Sequence, residues 1–244
     1  MSMGTGANAS NRSFAEKLAD FRSDISYSKA VTPLERDAVF RLRYDAYLGE
    51  GAIDPVPSRR FSDDYDFMPN CQIFGVHMGT DLVSSIRFHV ISREMRRGPA
   101  LDVFPDLLHP MIDKGMTIVD PTRLVVDHKT SREYPQLPYL TMRIACMAAE
   151  YYGAEHCLAT IRSEHQAFYK RIFGFRQMCE ARPYPTLKSR IALMIGDMNE
   201  IRDRVAEKYP VFTSSHAEQW LLFRQGGAAW PDHANDHLRL TGTA

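Results

Sequence analysis

The chain has 244 residues, no formal net charge, 44% hydrophobic residues and 25% charged residues. These values are typical of a globular domain with a buried core, and they argue against bulk binding to nucleic acid or to an acidic membrane surface. No stretch approaches the roughly 18 apolar residues of a membrane span, and the polar N-terminus has no apolar signal-peptide region, so we expect a cytoplasmic protein.

The two ends of the chain differ in composition from its middle. Residues 1–12 are rich in Gly, Ala, Asn and Ser and are predicted to be a disordered N-terminus, and residues 226–244 are predicted to be a flexible tail. Residues 13–225 are predicted to form a single domain with a C-terminal helical extension. The four cysteines show neither C-x-x-C nor zinc spacing, so we expect reduced core thiols and no metal.

The first helix with clear start signals is predicted over residues 32–48. Thr32 and Glu35 form a capping box around Pro33, which suits the first helical turn. Apolar residues then recur at helical spacing and predict one buried face, made of Leu34, Ala38, Leu42 and Ala46.

A β-hairpin follows, with strands predicted over residues 72–78 and 82–91. Strand alternation places Arg87 and His89 on the face opposite to Ile86 and Phe88. Residues 102–114 form a short amphipathic segment, and residues 117–127 are predicted to be a central strand with an irregularity at Pro121.

The second half of the chain continues to alternate helices and strands. A long helix is predicted over residues 138–152, a strand over 156–161 and a helix over 163–174, capped by Ser163 and ended by a glycine. The remaining predicted elements are antiparallel strands over 175–179 and 190–196 and helical segments over 199–208 and 215–223. This order predicts an α/β (α+β) fold in which helices cover a mixed sheet.

Five segments in the first half resemble, in order, those of the acyl-homoserine-lactone (autoinducer) synthases. They are FRLRYDAYL at 40–48, FSDDYDF at 61–67, LVSSIRFHV at 82–90, GPALDVFPDLL at 98–108 and IVDPTRLVV at 118–126. The sequence SEHQAFYKRIFGF at 163–175 is similar to the last helix-to-strand element of the wider GNAT superfamily. The long-chain N-acyl amino acid synthases, which share this architecture, are the other relatives suggested.

The resemblance implies a GNAT fold, with a mostly antiparallel central sheet whose central strands splay apart. It implies an N-acyltransferase that moves a fatty acyl group from a phosphopantetheine thioester to the amine of an amino acid or a derivative. It also implies no permanently bound cofactor and a direct attack by the amine. Two rival functions remain: a GNAT-fold sensor without turnover, and an acetyl-CoA-dependent N-acetyltransferase.

The resemblance carries site residues onto this chain, and each has a plainer alternative. The catalytic candidates are Asp120, Arg123, Arg87 and Tyr169, and the substrate-binding candidates are Arg43, Asp63, Asp66 and the backbone N–H groups of Leu124, Val125 and Val126. The arginines and aspartates are equally able to form buried ion pairs that fix geometry. Tyr169 either protonates the leaving thiolate or packs as an aromatic side chain, and His89 is expected to be an ordinary strand histidine.

Two departures from the family patterns bear on the substrates. Asp120 and Thr122 stand where the autoinducer synthases have glutamate and serine, and an expected tryptophan is missing before Asp120. These changes favour an amino-acid acceptor over S-adenosylmethionine.

The donor is expected to be carried by an acyl carrier protein. The segment HKTSREYPQLPYL lacks the glycine-rich turn that holds the pyrophosphate of coenzyme A in many GNAT enzymes, although acyl-CoA remains a possible donor. Basic residues around this segment are expected to dock an acidic carrier protein: Lys129, Arg132, Arg143, Lys170 and Arg171.

Overall fold

The computed structural model describes residues 12–184 and 187–224. The strands are β1 Ile25–Lys29, β2 Cys71–Met78, β3 Asp81–Ile91, β4 Ile118–Val126, β5 His156–Ile161, β6 Arg176–Gln177, β7 Arg182–Pro183 and β8 Arg190–Asp197. The helices are α1 Phe14–Arg22, α2 Pro33–Gly49, α3 Pro99–Val103, α4 Pro105–Asp113, α5 His128–Glu133, α6 Leu137–Tyr151, α7 Gln166–Phe173, α8 Met198–Lys208 and α9 His216–Phe223. Short 3-10 helices lie at Asp64–Phe67, Ser163–His165 and Pro210–Phe212.

The strands form one mixed sheet in the order β1-β2-β3-β4-β5-β8-β6, and β7 also pairs with β8. Every neighbouring pair is antiparallel except β4 and β5, which run parallel. The α/β fold and the mostly antiparallel sheet expected from the sequence are therefore confirmed.

The parallel pair opens into a fork in the middle of the sheet. Backbone pairing between β4 and β5 is limited to Ile118 with His156 and Val119 with Cys157. Beyond these residues β4 continues to Val126 beside β3 alone. Pro121, which has no backbone N–H, lies two residues past the last paired residue. The splayed central strands predicted from the resemblance begin at Asp120.

A β-bulge interrupts β4 just beyond the fork. The register leaves Ile86 of β3 opposite two residues of β4, Arg123 and Leu124. Arg123 has a positive φ of 54°, which is uncommon for a residue with a side chain. Because a bulge leaves one residue out of the ladder and bends its strand, peptide groups of β4 are released beside the opening.

The two faces of the sheet carry different layers. One face packs against α6 through a core that includes Phe88, Val119 and Met142. The other face packs against α3 and α4 through a smaller core that includes Ile118 and Leu158. Asp120 lies on this second face, since strand alternation places it beside Ile118.

Helix α2 begins with the expected capping box, but its buried face differs from the prediction. Thr32 accepts from the N–H of Glu35, whose carboxylate accepts in turn from the N–H of Thr32. Leu34 is 80% exposed, and the side chains turned inward are Val39, Phe40, Arg43 and Tyr44. The helix is rotated from the predicted orientation because the arginine is satisfied inside the protein.

Several smaller expectations also needed correction. No local signal was strong enough to predict α1, β1 or α5. Ser163 begins a 3-10 helix, and no side-chain cap bond is found at the start of that turn. Gly174 does end α7 in the left-handed conformation with φ of 68°, as helices of this kind often end. The four cysteines are free thiols, as expected.

In residues 12–184 and 187–224, no helix combines the length and apolar character needed to cross a bilayer. No group of His, Cys, Asp and Glu side chains within the same ranges is arranged to hold a metal ion. The predicted disorder of residues 1–11 and the predicted tail at 226–244 lie outside the described residues.

Candidate active site

An acidic turn lies between α2 and the sheet, at Asp64–Phe67 and the preceding Asp63. Asp66 is fully buried, and its Oδ1 accepts from Arg43 Nη1 at 2.7 Å and lies 3.0 Å from Arg87 Nη1. Its second oxygen accepts from the N–H of Asp63 at 2.9 Å, which closes the turn on itself. The turn thus presents two carboxylates to the sheet in a fixed geometry.

Arg87 on β3 connects this turn to β4. Its Nη1 donates to Asp63 Oδ1 at 2.5 Å, and its Nε donates to the hydroxyl of Thr122 at 2.9 Å. The side chain is fully buried. The threonine that replaces the family's serine therefore acts as an acceptor for the central arginine.

Arg123 completes the ion-pair network from the bulge of β4. Its Nη2 donates to Asp63 Oδ2 at 2.6 Å, and its guanidinium lies 4.6 Å from the ring centroid of Phe61 and 5.6 Å from that of Tyr47. The positive φ of Arg123 is thus supported by contacts on several sides. Five residues singled out by the family patterns meet in one buried network: Arg43, Asp63, Asp66, Arg87 and Arg123.

The network has a consistent charge pattern. Burial by itself raises the pKa of Asp63, but Arg87 and Arg123 outweigh it and lower that pKa to about 2. Burial also opposes ionisation of Asp66, yet Arg43 and Arg87 lower its pKa. Burial lowers the pKa of Arg87, and the two carboxylates more than reverse this effect. Both carboxylates are therefore ionised at neutral pH.

Asp120 of β4 is a further buried carboxyl group near Asp63 and Asp66. Among the described residues, no arginine is bonded to it. It is fully buried, and its Oδ2 accepts from the backbone N–H of Ala100 at 3.1 Å. Its Oδ1 has no hydrogen-bond partner in the described part of the chain. Burial raises the pKa of Asp120 to about 7, against the opposing effects of the Ala100 N–H and Arg87. This carboxyl group can exchange a proton near neutral pH.

A cavity of about 40 Å³ lies at the fork, next to this network. Thr122 and Arg123 line it from β4, Thr160 lines it from β5, and the other walls are Tyr47, Tyr184, Leu187 and Ile191. Sequence analysis missed Tyr184. It lies in the run R-P-Y-P, where prolines restrict the backbone but give no chemical signal. Its buried phenol is near enough to Asp120 and Arg123 to feel their charges.

Tyr169 lies on the other face of the sheet, in an aromatic cluster with Phe168 and Phe173. Its hydroxyl is 3.9 Å from the thioether sulfur of Met142 on α6. Burial raises the pKa of this phenol. Tyr169 therefore flanks the fork from the α6 side, whereas Asp120 flanks it from the α3 side.

The residues expected to dock a carrier protein divide into two groups. Lys129, Arg132, Lys170 and Arg171 are exposed on α5 and α7, which follow β4 and β5 respectively. Tyr139 at the start of α6, the helix that follows α5, contacts Phe168 of α7, with ring centroids 4.9 Å apart.

Arg143 does not belong to this surface, which corrects the sequence-based expectation. The side chain is buried, and Glu218 binds two of its nitrogens at 2.6 and 2.8 Å. Backbone carbonyls of Val211 and Thr213 accept two further bonds. Arg143 instead anchors the C-terminal extension to α6.

The fold defined by this sheet and its fork is that of the GNAT acyltransferases. The sequence profile of the N-acyl amino acid synthase FeeM family matches residues 38–197. The chain belongs to the FeeM family of N-acyl amino acid synthases and is an N-acyltransferase. No curated protein sequence matches the chain.

Solved structures give the same picture of the fold. The structure of FeeM, an N-acyl amino acid synthase from uncultured soil microbes, aligns with a TM-score of 0.62 and 20% identity, over 73% of this chain and 93% of that one. A CoA-dependent acyl-homoserine lactone synthase, BjaI, aligns with a TM-score of 0.54 and 17% identity, over 76% and 89% of the two chains. The acyl-homoserine lactone synthase LasI aligns with a TM-score of 0.54 and 13% identity, over 70% and 88%.

Proposed function

We propose that this N-acyltransferase moves a fatty acyl group from the thioester of an acyl carrier protein to the amine of an amino acid or an amino-acid derivative. The observation that carries the proposal is the position of Asp120. A fully buried carboxyl group with one unpartnered oxygen lies where β4 and β5 part. This is where an amine and a thioester carbonyl would meet.

The thioester arm is proposed to enter through the fork from the α6 side. Beyond Val119 the facing edges of β4 and β5 are not paired with each other, so their peptide groups are able to bond to the amide groups of a pantetheine arm. The bulge at Arg123 and Leu124 releases additional peptide groups. Of the backbone N–H groups of Leu124, Val125 and Val126, those that point away from β3 would then stabilise the oxyanion that forms on the thioester carbonyl.

The proposed proton transfers use Asp120 and Tyr169, which lie on opposite sides of the fork. The ionised carboxylate of Asp120 takes a proton from the acceptor ammonium group, and the free amine attacks the carbonyl carbon. The tetrahedral intermediate collapses with cleavage of the carbon–sulfur bond, and the phenol of Tyr169 supplies a proton to the leaving thiolate. The attacking nitrogen still carries one proton more than the amide product needs, and that proton returns to the phenolate of Tyr169. Asp120 then releases the proton that it took from the ammonium group to solvent.

The buried arginines offer a place for an anionic group of the acceptor. Three buried guanidinium nitrogens have no acceptor among the described residues: Nη2 of Arg87, and Nε and Nη2 of Arg43. All four oxygens of Asp63 and Asp66 already accept bonds within the protein. We therefore assign the aspartates to holding the arginines, and we assign the recognition of an acceptor carboxylate to the arginines.

The start of α5 supports a carrier-bound donor over coenzyme A. Asp127 caps this helix, where its Oδ1 accepts from the N–H of Thr130 at 2.9 Å and from the hydroxyl of the same residue at 2.7 Å. A carboxylate thus occupies the donors that would otherwise attract a pyrophosphate, and it repels a second anion. A carrier protein requires no pyrophosphate site and would dock on the exposed bases of α5 and α7.

The proposal is tested by incubating the purified protein with acyl carrier protein charged with fatty acids of several lengths, or with the matching acyl-CoA. Each donor is combined with a panel of amino acids or with S-adenosylmethionine. Free thiol release and mass spectrometry of the products are followed together. We expect N-acyl amino acids with the carrier-bound donor and a slower reaction with acyl-CoA.

The rival functions give different results in the same assay. A sensor would bind acyl carrier protein without releasing thiol from any donor and acceptor. An ordinary acetyltransferase would prefer acetyl-CoA and would bind it tightly in a calorimeter. Either result would overturn the proposal.

A further inference from the structure

His89 lies directly across the sheet from Asp120. The two residues are partners in the antiparallel register of β3 and β4, and strand alternation puts both side chains on the α3 face. Cβ atoms of such partners are separated by about 4.5–5.5 Å. Both side chains are fully buried, so their polar atoms find partners inside the protein or not at all.

The tautomer of His89 is fixed by the acidic turn. Its Nε2 lies 2.9 Å from the backbone carbonyl oxygen of Tyr65. A carbonyl oxygen only accepts, so Nε2 carries the proton and donates it. The ring of Tyr65 packs edge-on against the imidazole, with centroids 6.2 Å apart and planes at 86°. In the neutral imidazole Nδ1 is then an acceptor.

This assignment leaves two buried acceptor atoms on neighbouring strands. Nδ1 of His89 and Oδ1 of Asp120 both lack a hydrogen-bond partner among the described residues. No hydrogen bond or ion pair joins the two side chains in this structure, and each atom is an unmet buried polar group. A rotation of the carboxyl group towards the imidazole would let one shared proton satisfy both atoms.

We propose that His89 is a positioning residue for Asp120: its neutral Nδ1 accepts a hydrogen bond from the proton that Asp120 takes up during acyl transfer. The inference rests on the proposed role of Asp120 as the base. In the ionised state, Oδ1 of the buried Asp120 has no partner among the described residues and is the atom left to accept the proton of the amine. Once protonated, its Oδ1–H turns to the imidazole, so the carboxyl group holds the proton away from the newly formed amide.

Other groups around the pair retain their charge while this proton moves. Arg87 is adjacent on β3, and Asp63 and Asp66 are ionised with low pKa values. Burial raises the pKa values of Tyr184 and Cys157, so both stay neutral near pH 7, as does the phenol of Tyr65. Burial and Arg87 lower the pKa of His89 to about 3. The imidazole therefore acts as a neutral acceptor and does not itself become a cation.

The first test uses nitrogen NMR on the full-length wild-type protein. Nδ1 of His89 is expected to show the shift of an unprotonated ring nitrogen from pH 5 to pH 9. Its shift should change with one inflection near pH 7, as Asp120 loses its proton, and the Asp120→Asn variant should lack this inflection. A protonated Nδ1, or a shift that ignores Asp120, would refute the proposal.

Two reciprocal variants separate support of the fold from the proton role. The amide of His89→Gln is able to donate to Tyr65 but leaves no acceptor at the Nδ1 position. His89→Asn restores an acceptor there and gives up the bond to Tyr65. We expect His89→Gln to move the acidic limb of the kcat/KM profile about one pH unit lower, because the protonated carboxyl loses its acceptor. His89→Asn should retain the wild-type limb.

The outcomes also distinguish failure of the inference from failure of the proposed function. An unchanged limb in His89→Gln, combined with an inactive Asp120→Asn, would remove His89 from the mechanism and leave the base in place. A fully active Asp120→Asn would remove the base itself. The NMR result is independent of turnover, so it decides the hydrogen bond even if the acceptor is not the one tested.

Discussion

Asp63 and Asp120 are carboxyl groups of the same site whose pKa values move in opposite directions. Asp63 has two arginine partners and a pKa of about 2, whereas Asp120 has one backbone N–H and a pKa of about 7. Burial acts on both, so the difference comes from the positive charge bonded to each. One carboxylate fixes the arginines permanently, and the other remains able to exchange a proton at neutral pH.

Replacing Asp120 by Asn should stabilise the protein increasingly between pH 4 and pH 7. The folded pKa of Asp120 lies above its unfolded value near 3.9, so wild-type stability falls across this window and is constant above it. Asn cannot ionise, so the stability of the variant relative to wild type should be larger at pH 8 than below pH 4 by on the order of 4 kcal/mol. Urea unfolding at pH 4, 6 and 8 measures the difference. If the difference in free energy of unfolding between the variant and wild type does not change with pH, the pKa of Asp120 is not raised in the folded protein.

Replacing Asp63 by Asn should instead lower the free energy of unfolding. The change leaves Arg87 and Arg123 buried without their shared carboxylate, which typically costs about 3–5 kcal/mol. The folded pKa of Asp63 is lowered, so this contribution is present above pH 4 and is lost as the pH falls towards 2. Chemical unfolding at pH 7 checks the loss, and Asp64→Asn is a matched control on the exposed side of the same turn. Equal stability of the two variants would contradict the network.

Among the elements, helix α9 is held by ion pairs between its own Glu218 and arginines that are distant in sequence. Glu218 at its first turn binds Arg143 of α6 and also Arg22 of α1, the latter at 2.8 Å. Gln219 adds a bond to Glu150 near the end of α6. These contacts fasten the C-terminal extension across the same helix that faces the fork.

Glu218→Ala should therefore loosen the extension without altering the fork. We expect a loss of about 2–3 kcal/mol, because the buried Arg143 loses a charged partner while retaining its carbonyl partners. Hydrogen exchange should accelerate in α9 and leave β4 unchanged. Glu207→Ala, at an exposed position of α8, is the control. Comparable exchange in the two variants would contradict the proposed anchor.

Elements with local signals were the ones that sequence analysis placed well. The capping box fixed the start of α2, and Gly174 marked the end of α7, because both features act within a few residues. The orientation of α2 was missed because Arg43 is satisfied by Asp66, 23 residues away. The buried role of Arg143 depends in the same way on Glu218, 75 residues away, and no local pattern reports such a contact.

At the scale of the whole molecule, the site is a property of the fork and its two sides. The family patterns singled out these arginines and aspartates as site candidates, and the fold gathers five of them into one network. They did not predict that Asp120 would lack an arginine partner, or that Tyr184 would line the cavity. Both features arise where β4 leaves β5, and only the packed sheet defines that point.

The exposed bases near the fork should matter only for a donor carried by a protein. Reversing Lys129 and Arg132, or Lys170 and Arg171, to Glu should lower kcat/KM for acyl carrier protein about tenfold by weakening an electrostatic contact. The reaction with a free acyl-pantetheine should be unaffected. Lys114→Glu, at the exposed residue that follows α4, is the control. Equal losses with both donors would place these residues in the reaction itself.

The most direct test compares wild type and Asp120→Asn in a single turnover at pH 8, with acyl carrier protein as donor and the preferred amino acid as acceptor. Removal of a general base typically costs at least about 100-fold in rate. We predict a loss of that size with donor binding unchanged, and a wild-type rate that rises with pH through about 7, as the pKa of Asp120 requires. An Asp120→Asn variant as fast as wild type would contradict the assignment of Asp120 as the base.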